Sequence, residues 1–112
     1  MELLRDVEPA LEGTAALFEE AGLGAFASGL RSNIPLATLE AAFAVCHILR
    51  DAQMPFWIEM ASADAGQLVS EAAFWAEGAV LAACDGEIDL FNDCLGMVKR
   101  TVASGWPRFA IH

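Results

Sequence analysis

The pattern of apolar and polar residues is most regular near the end of the chain, over residues 87–104. At 100° per residue, one half of the helical wheel is apolar and contains Ile88, Leu90, Phe91, Cys94, Leu95, Met97, Val98 and Val102. Acidic residues occupy the first turn, and Lys99 and Arg100 lie near the end, as the helix dipole favours. The pattern predicts an amphipathic helix that Gly105 and Pro107 end.

Residues 67–83 are apolar at helical spacing on two sides rather than one. The main apolar side comprises Leu68, Val69, Ala72, Ala73, Trp75, Ala76, Ala79 and Val80. Phe74 and Leu81 lie on the opposite side, among Ser70, Glu71 and Glu77. This predicts either a helix at the centre of the fold or a helix whose second face, at Phe74 and Leu81, contacts a partner.

Proline and glycine divide the first half of the chain into shorter helices. The spacing predicts a first helix at residues 9–21, with Pro9 in its first turn, followed by a short helical segment. Asn33 is expected to cap the next helix, and Pro35 is expected to lie in its first turn.

That second main helix is predicted over residues 35–53, where Pro55 ends or kinks it because proline cannot donate a helical hydrogen bond. Helix is expected to resume at Phe56 and to continue to Cys84, with a possible joint at residues 64–66. Asp85 and Gly86 are expected to form a turn.

These segments predict one all-α domain over residues 1–112, an antiparallel bundle of three to four helices with a long helix kinked at Pro55. Within it, residues 9–34 hold the N-terminal helix and the short segment, residues 35–104 the main helices, and residues 105–112 a C-terminal tail. The composition supports helix over strand, because alanine is abundant and tyrosine is absent.

The charge of the chain excludes some classes of partner. The net charge is −10, from 16 acids and 6 bases, and no base lies between Arg50 and Lys99. Nucleic acids and anionic membranes bind clustered lysine and arginine, so neither is an expected partner. Apolar residues make up 56% of the chain, which is high for a short domain and favours self-association or an apolar partner.

The sequence predicts a cytoplasmic location. The prediction rests on three cysteines, an acidic N-terminal stretch and the lack of a long uncharged apolar run. Cys46, Cys84 and Cys94 form no Cys-x-x-Cys pair, and an odd number of cysteines favours reduced thiols and a cytoplasmic protein. We expect these cysteines to be chemically inert. The sequence predicts neither a targeting peptide nor a transmembrane segment.

Glu40, His47 and Asp51 form the one polar set with a spacing that suits chemistry. They lie at i, i+7 and i+11 of the predicted second helix, where a carboxylate and an imidazole could transfer a proton or begin a metal site. A metal site in a bundle needs a matching motif on another helix, and the only other histidine is His112. We therefore predict no metal, no cofactor and no enzymatic activity, and interpret the set as a polar face.

Bulky aromatic residues occur at two places where a helix is expected to begin or end. Phe56 and Trp57 follow Pro55, and Trp106 and Phe109 lie in the tail. Two interpretations remain open: these side chains close the ends of the bundle, or they bind a partner or an apolar surface.

The stretch from Pro35 to Gly105 resembles a phasin, a family of small proteins that coat bacterial polyhydroxyalkanoate granules. The similarity rests on an Ala-rich helix with a Gln-containing middle at residues 51–53, an Ala-rich end and acidic turn at residues 81–85, and a final amphipathic helix from Asp89 to Val102. Pro55, the cysteines and the tryptophans depart from that pattern. The resemblance implies a self-associating, non-catalytic coat protein and assigns no functional residue.

The sequence thus predicts a non-enzymatic helical protein that self-associates, as a dimer, and presents an apolar face to a protein partner or a hydrophobic granule surface. Phe74, Leu81, Phe56, Trp57, Trp106 and Phe109 are the expected interaction residues. Two alternatives are a small acidic accessory subunit of a larger complex, and a metal- or cofactor-binding bundle built on Glu40, His47 and Asp51.

Overall fold

The computed structural model describes residues 2–61 and 65–110, and its side chains are described over residues 3–61 and 65–104. In this part of the chain six helices occur and no strand: α1 (Glu2–Glu20), α2 (Gly24–Ser32), α3 (Leu39–Ala52), α4 (Pro55–Met60), α5 (Ala65–Asp85) and α6 (Ile88–Ala110). The predicted all-α class is confirmed, with six helices in the described residues where three to four were expected.

α1 begins at Glu2 rather than at residue 9, and Pro9 lies inside it. A proline in a helix removes one backbone donor, here the one that would bond the carbonyl of Arg5. Leu4, Val7 and Leu11 are buried on one face of the same helix. Their burial outweighs the single lost hydrogen bond, so α1 continues through Pro9.

The prediction that Asn33 caps the helix after it is wrong, because Asn33 is the C-cap of α2. Its backbone N–H donates to the carbonyl of Leu30, and its side-chain amide donates to the carbonyl of Gly29 at 2.8 Å. The next helix begins only at Leu39. Thr38 is its N-cap, and the Thr38 hydroxyl accepts a hydrogen bond from the N–H of Ala41 at 3.1 Å.

Pro55 separates two helices instead of kinking one. Met54 has an extended backbone, and Pro55 is the first residue of α4, where its missing N–H leaves no helical bond unmade. α4 ends at Met60 and α5 begins at Ala65, so Ala65 and Gly66 of the expected joint are helical, and Asp64 lies outside the described residues. The predicted long helix is therefore three helices.

α5 is the central helix of the fold and packs against α1, α3, α4 and α6. Its buried side is made of small residues: Ala65, Val69, Ala72, Ala73, Ala76, Ala79, Val80, Ala82 and Ala83. Small side chains allow neighbouring helices to approach closely, so one helix can contact four others. The fold is compact, with a radius of gyration of 12.8 Å.

A tight turn joins α5 to α6, as predicted. Gly86 has φ +73°, a left-handed conformation that glycine adopts without strain. The N–H of Glu87 donates to the carbonyl of Ala82, a bond that closes the end of α5. α5 and α6 thereby form a hairpin whose two helices pack side by side.

α6 extends to Ala110, past Gly105 and Pro107, where the sequence predicted its end. The predicted tail at residues 105–112 is therefore helical as far as residue 110. No helix within residues 2–61 and 65–110 has both the length and the apolar character needed to cross a bilayer.

Candidate interaction groove between α5 and α6

α5 has one buried side and one exposed apolar strip, so the expected central position is confirmed and the expected partner contact stays a prediction. The helix lies at the centre of the fold, yet Phe74 is 55% exposed and Leu81 is 37% exposed. The two side chains lie seven residues apart, which places them on the same side of the helix. α5 is central and still presents apolar surface to solvent.

This strip borders a groove between α5 and α6. The groove has a volume of about 380 Å3 and is lined by Phe74, Trp75, Glu77, Gly78, Leu81, Leu90 and Cys94. We call these seven residues the α5–α6 groove. Leu90 contributes from α6 and is 48% exposed. The groove is therefore bordered by exposed apolar side chains from both helices.

Gly78 explains how the groove forms. A Cβ atom at this position would lie 3.1 Å from the sulfur of Cys94 on α6, closer than ordinary van der Waals contact. The two helices are therefore close at Gly78, where the absence of a side chain leaves room for the sulfur of Cys94. Phe74 and Trp75 pack edge to face beside it, with ring centroids 4.9 Å apart.

Glu77 is the one carboxylate in the lining of the groove and is held from α3. Its side chain is only 12% exposed and accepts hydrogen bonds from Nε of Arg50 and from Nε2 of Gln53, each at 2.9 Å. It also forms an ion pair with Nη2 of Arg50 at 2.8 Å. These bonds compensate its charge and fix α3 against α5. The sequence placed Glu77 beside the apolar strip but did not show these partners.

Exposed acids surround the apolar residues of the groove. Glu71 lies three residues before Phe74, Asp85 lies four after Leu81, and Glu87 and Asp93 lie three residues on either side of Leu90; all four acids are exposed. Residues three or four apart on a helix are neighbours on its surface. The groove is therefore an apolar surface with an acidic border.

The three thiols are free, and all have pKa values above the ordinary range for cysteine. Burial, together with the nearby Glu77 carboxylate, raises the pKa of the Cys46 thiol to about 12. Burial and then Asp85 raise the pKa of Cys84, and burial and then Asp93 raise the pKa of Cys94. These directions keep the thiols protonated and poorly nucleophilic at neutral pH.

Phe56 and Trp57 lie away from the groove. Phe56 is 60% exposed and lies near Met54 and Met60, which are also more than half exposed. We call Met54, Phe56 and Met60 the α4 patch. Trp57 is half-buried and packs edge to face on Phe26, with ring centroids 5.1 Å apart, so it attaches α4 to the core. The side chains of Trp106 and Phe109 lie outside the described residues.

Glu40, His47 and Asp51 are all exposed on α3. Over the described ranges, no three histidine, cysteine, aspartate or glutamate side chains lie close enough together to hold a metal ion. The polar set therefore forms part of the solvated surface of α3.

Sequence reasoning missed the contribution of α6 to the groove. The helical wheel placed Ile88 and Leu90 in the apolar half, which suggested burial, but both are about half exposed. Leu90 and Met97 lie at the edge of the apolar half of the wheel. A side chain at that edge is at the boundary between core and solvent, so this position could have indicated that Leu90 is exposed.

Comparisons with protein-family models, with curated proteins and with solved structures found no match to this chain. The resemblance to phasins and the role that it implies therefore remain predictions, and function has to be argued from the chain itself.

Proposed function

We propose that this protein is a non-enzymatic helical interaction module and that the α5–α6 groove is its binding surface. The observation that carries the proposal is the exposure of Phe74, Leu81 and Leu90 around one groove on the central hairpin. Each square ångström of apolar surface removed from water contributes about 25 cal/mol, so a partner that covers these side chains gains affinity. An exposed apolar groove with a polar border is typical of a protein-binding site.

The chemistry of the groove supports binding rather than catalysis. Of the described residues that line it, Glu77 and Cys94 carry the ionisable side chains. Glu77 is held by Arg50 and Gln53, and the pKa of Cys94 is raised. Neither group is prepared to act as a base or a nucleophile at neutral pH.

Self-association is a second function, and the α4 patch favours it. Met54, Phe56 and Met60 lie within seven residues, and each is more than half exposed. A second copy that covered this patch would form a dimer and leave the α5–α6 groove free for a different partner. A hydrophobic granule surface, as the phasin resemblance implies, would contact the same patch.

The remaining alternatives differ in what the chain binds: a larger protein complex, or a metal or cofactor. An accessory subunit of a larger complex would use the acidic surface as well as the groove. A cytoplasmic location suits either role and remains a prediction from the cysteine content. A metal- or cofactor-binding bundle would need ligands beyond the exposed Glu40, His47 and Asp51.

Native mass spectrometry of the protein purified from its source cells tests the proposed function. We expect a complex heavier than the 11.9 kDa chain. Phe74→Ser/Leu81→Ser is expected to lose the partner while circular dichroism still shows a folded helical protein, because both side chains are already exposed. The matched control is Leu39→Ser/Phe43→Ser, which changes a leucine and a phenylalanine that are both about half exposed on α3, outside the groove.

The proposal is wrong if the groove variant retains every partner that the native chain retains. A bound metal or cofactor mass, lost in His47→Ala, would favour the metal- or cofactor-binding alternative instead.

A further inference from the structure

The acidic border of the α5–α6 groove is not balanced by nearby bases. The sequence carries no lysine or arginine between Arg50 and Lys99, a span that includes all of α5 and the first half of α6. Arg50, on α3, contacts the lining of the groove, and its guanidinium is bound to Glu77. The charges of Glu71, Asp85, Glu87 and Asp93 therefore leave a negative potential around an apolar surface.

This charge distribution disfavours a second copy of the chain in the groove. A twofold dimer interface brings the same patch of both protomers together. Two copies joined at the groove would place both sets of these four acids near each other, on chains that each carry a net charge of −10. Like charges across an interface oppose association, so the occupant of complementary charge is a different chain.

The shape of the groove fits one face of a helix. Phe74 and Leu81 are separated by two turns of α5, or about 10 Å along its axis. An amphipathic helix presents apolar side chains at i, i+3 or i+4, and i+7, which span the same two turns. A helix laid along the groove would place its flanking positions beside the exposed acids.

We propose that the α5–α6 groove binds a basic amphipathic helix of another protein. Apolar side chains from two turns of that helix contact Phe74, Leu81 and Leu90, and its lysine or arginine residues pair with Glu71, Asp85, Glu87 and Asp93. The proposal rests on the proposed function and adds the chemistry and conformation of the partner. The apolar contacts supply most of the affinity, and the charges select the partner and orient it.

Synthetic peptides of roughly 18 residues, five helical turns, test this proposal directly. The first peptide has leucine along one helical face and lysine elsewhere. A second has glutamine in place of every lysine, and a third has the composition of the first in an order that destroys the apolar face. Binding to the full chain is measured by isothermal titration calorimetry and by the fluorescence of Trp75 in the Trp57→Phe/Trp106→Phe variant, since Trp75 lines the groove.

We expect the lysine peptide to bind one to one with micromolar affinity, and the glutamine and reordered peptides to bind at least roughly tenfold more weakly. Added salt should weaken only the lysine peptide. Glu71→Gln/Asp93→Asn should weaken the lysine peptide by roughly tenfold and leave the glutamine peptide unchanged. Phe74→Ser/Leu81→Ser should remove binding of both ordered peptides, and Leu39→Ser/Phe43→Ser should bind them as the native chain does.

Other outcomes overturn the inference. Equal, groove-dependent binding of the lysine and glutamine peptides would show an apolar helix site without charge selection, and the proposed function would stand. Binding of the lysine peptide that survives Phe74→Ser/Leu81→Ser would show attraction to an acidic protein, not docking in the groove. If the native chain binds no peptide but forms a dimer that Phe74→Ser/Leu81→Ser loses, the occupant of the groove is a second copy of the chain. No peptide binding and no partner lost in the groove variant would overturn both proposals.

Discussion

Cys46 is a residue of the described chain whose ionisation differs strongly from its behaviour in water. It is buried on α3, and burial with the nearby Glu77 carboxylate raises its pKa to about 12. In the unfolded chain the thiol ionises near 9, its value without these neighbours. Between these two values the unfolded state loses a proton that the folded state keeps. The unfolded state then binds fewer protons, so the free energy of unfolding falls as pH rises.

We expect this loss of stability to begin near pH 9 and to continue toward pH 12. One thiol contributes at most about 1.4 kcal/mol per pH unit between its unfolded and folded pKa values. Urea denaturation over this pH range measures the slope. Cys46→Ala should reduce the slope, whereas Cys84→Ala, at a less buried thiol, should reduce it less. An unchanged slope in Cys46→Ala would show that other groups cause the loss.

At the scale of single residues, the sequence predicted which side chains could bind but not which would be exposed. Phe74 and Leu81 stand out in the sequence because they interrupt a polar strip. Gly78 does not stand out in the sequence, since the close approach of the helices at Gly78 involves Cys94, sixteen residues away on another helix. Both residues line the groove and approach each other closely, and a helical wheel of one segment contains no information about such a contact.

At the scale of helices, the contact between α4 and α5 depends on Gly66. A Cβ atom at this position would lie 2.8 Å from the backbone carbonyl oxygen of Ile58 and 3.1 Å from Cγ2 of the same residue. A backbone atom cannot move without its helix, so any larger side chain has to displace α4. Gly96, within α6, has no such neighbour; the nearest atom is Nη2 of Arg100, at 3.9 Å.

We therefore expect opposite effects from the same substitution at the two glycines. Gly66→Ala should destabilise the fold by about 1–3 kcal/mol through overpacking. Gly96→Ala should stabilise it by about 0.5–1 kcal/mol, because alanine loses less backbone freedom on folding than glycine. Urea denaturation of both variants beside the native chain measures the difference. Similar stabilisation in both would show that α4 is not closely packed on α5.

The helix boundaries show why local signals were only partly sufficient. The α5–α6 turn followed the sequence because Gly86 and Asp85 act locally. Pro9 is not in the first turn of α1 as predicted, since buried residues on both sides of it stabilise α1 as one element. Asn33 could cap a helix at either end, and its hydrogen bond to Gly29 places it at the end of α2. Each error occurred where a contact elsewhere decided between two locally acceptable conformations.

At the scale of the whole molecule, exposed apolar surface and a large negative charge act against each other. The α5–α6 groove and the α4 patch both favour association, while a net charge of −10 opposes contact between identical chains. The groove is surrounded by acids, whereas the α4 patch has fewer: Asp51, Glu59 and Asp64 are the acids within four residues of its members in the sequence. Self-association should therefore use the α4 patch.

The balance between these forces predicts how self-association responds to salt and pH. We expect a dimer whose dissociation constant falls as salt screens the charge, and falls further as the pH approaches the isoelectric point of about 4.3, where the net charge vanishes. Sedimentation velocity across a range of salt concentrations and pH values measures this dissociation constant.

Met54→Ser/Met60→Ser removes apolar surface from the α4 patch and leaves Phe56, which packs on Trp57, in place. This variant should weaken the dimer under every condition. Phe74→Ser/Leu81→Ser should leave it intact, because the groove is a separate surface. A monomer at high micromolar concentration throughout would refute self-association, and a dimer lost only in the groove variant would place the contact at α5 and α6 instead.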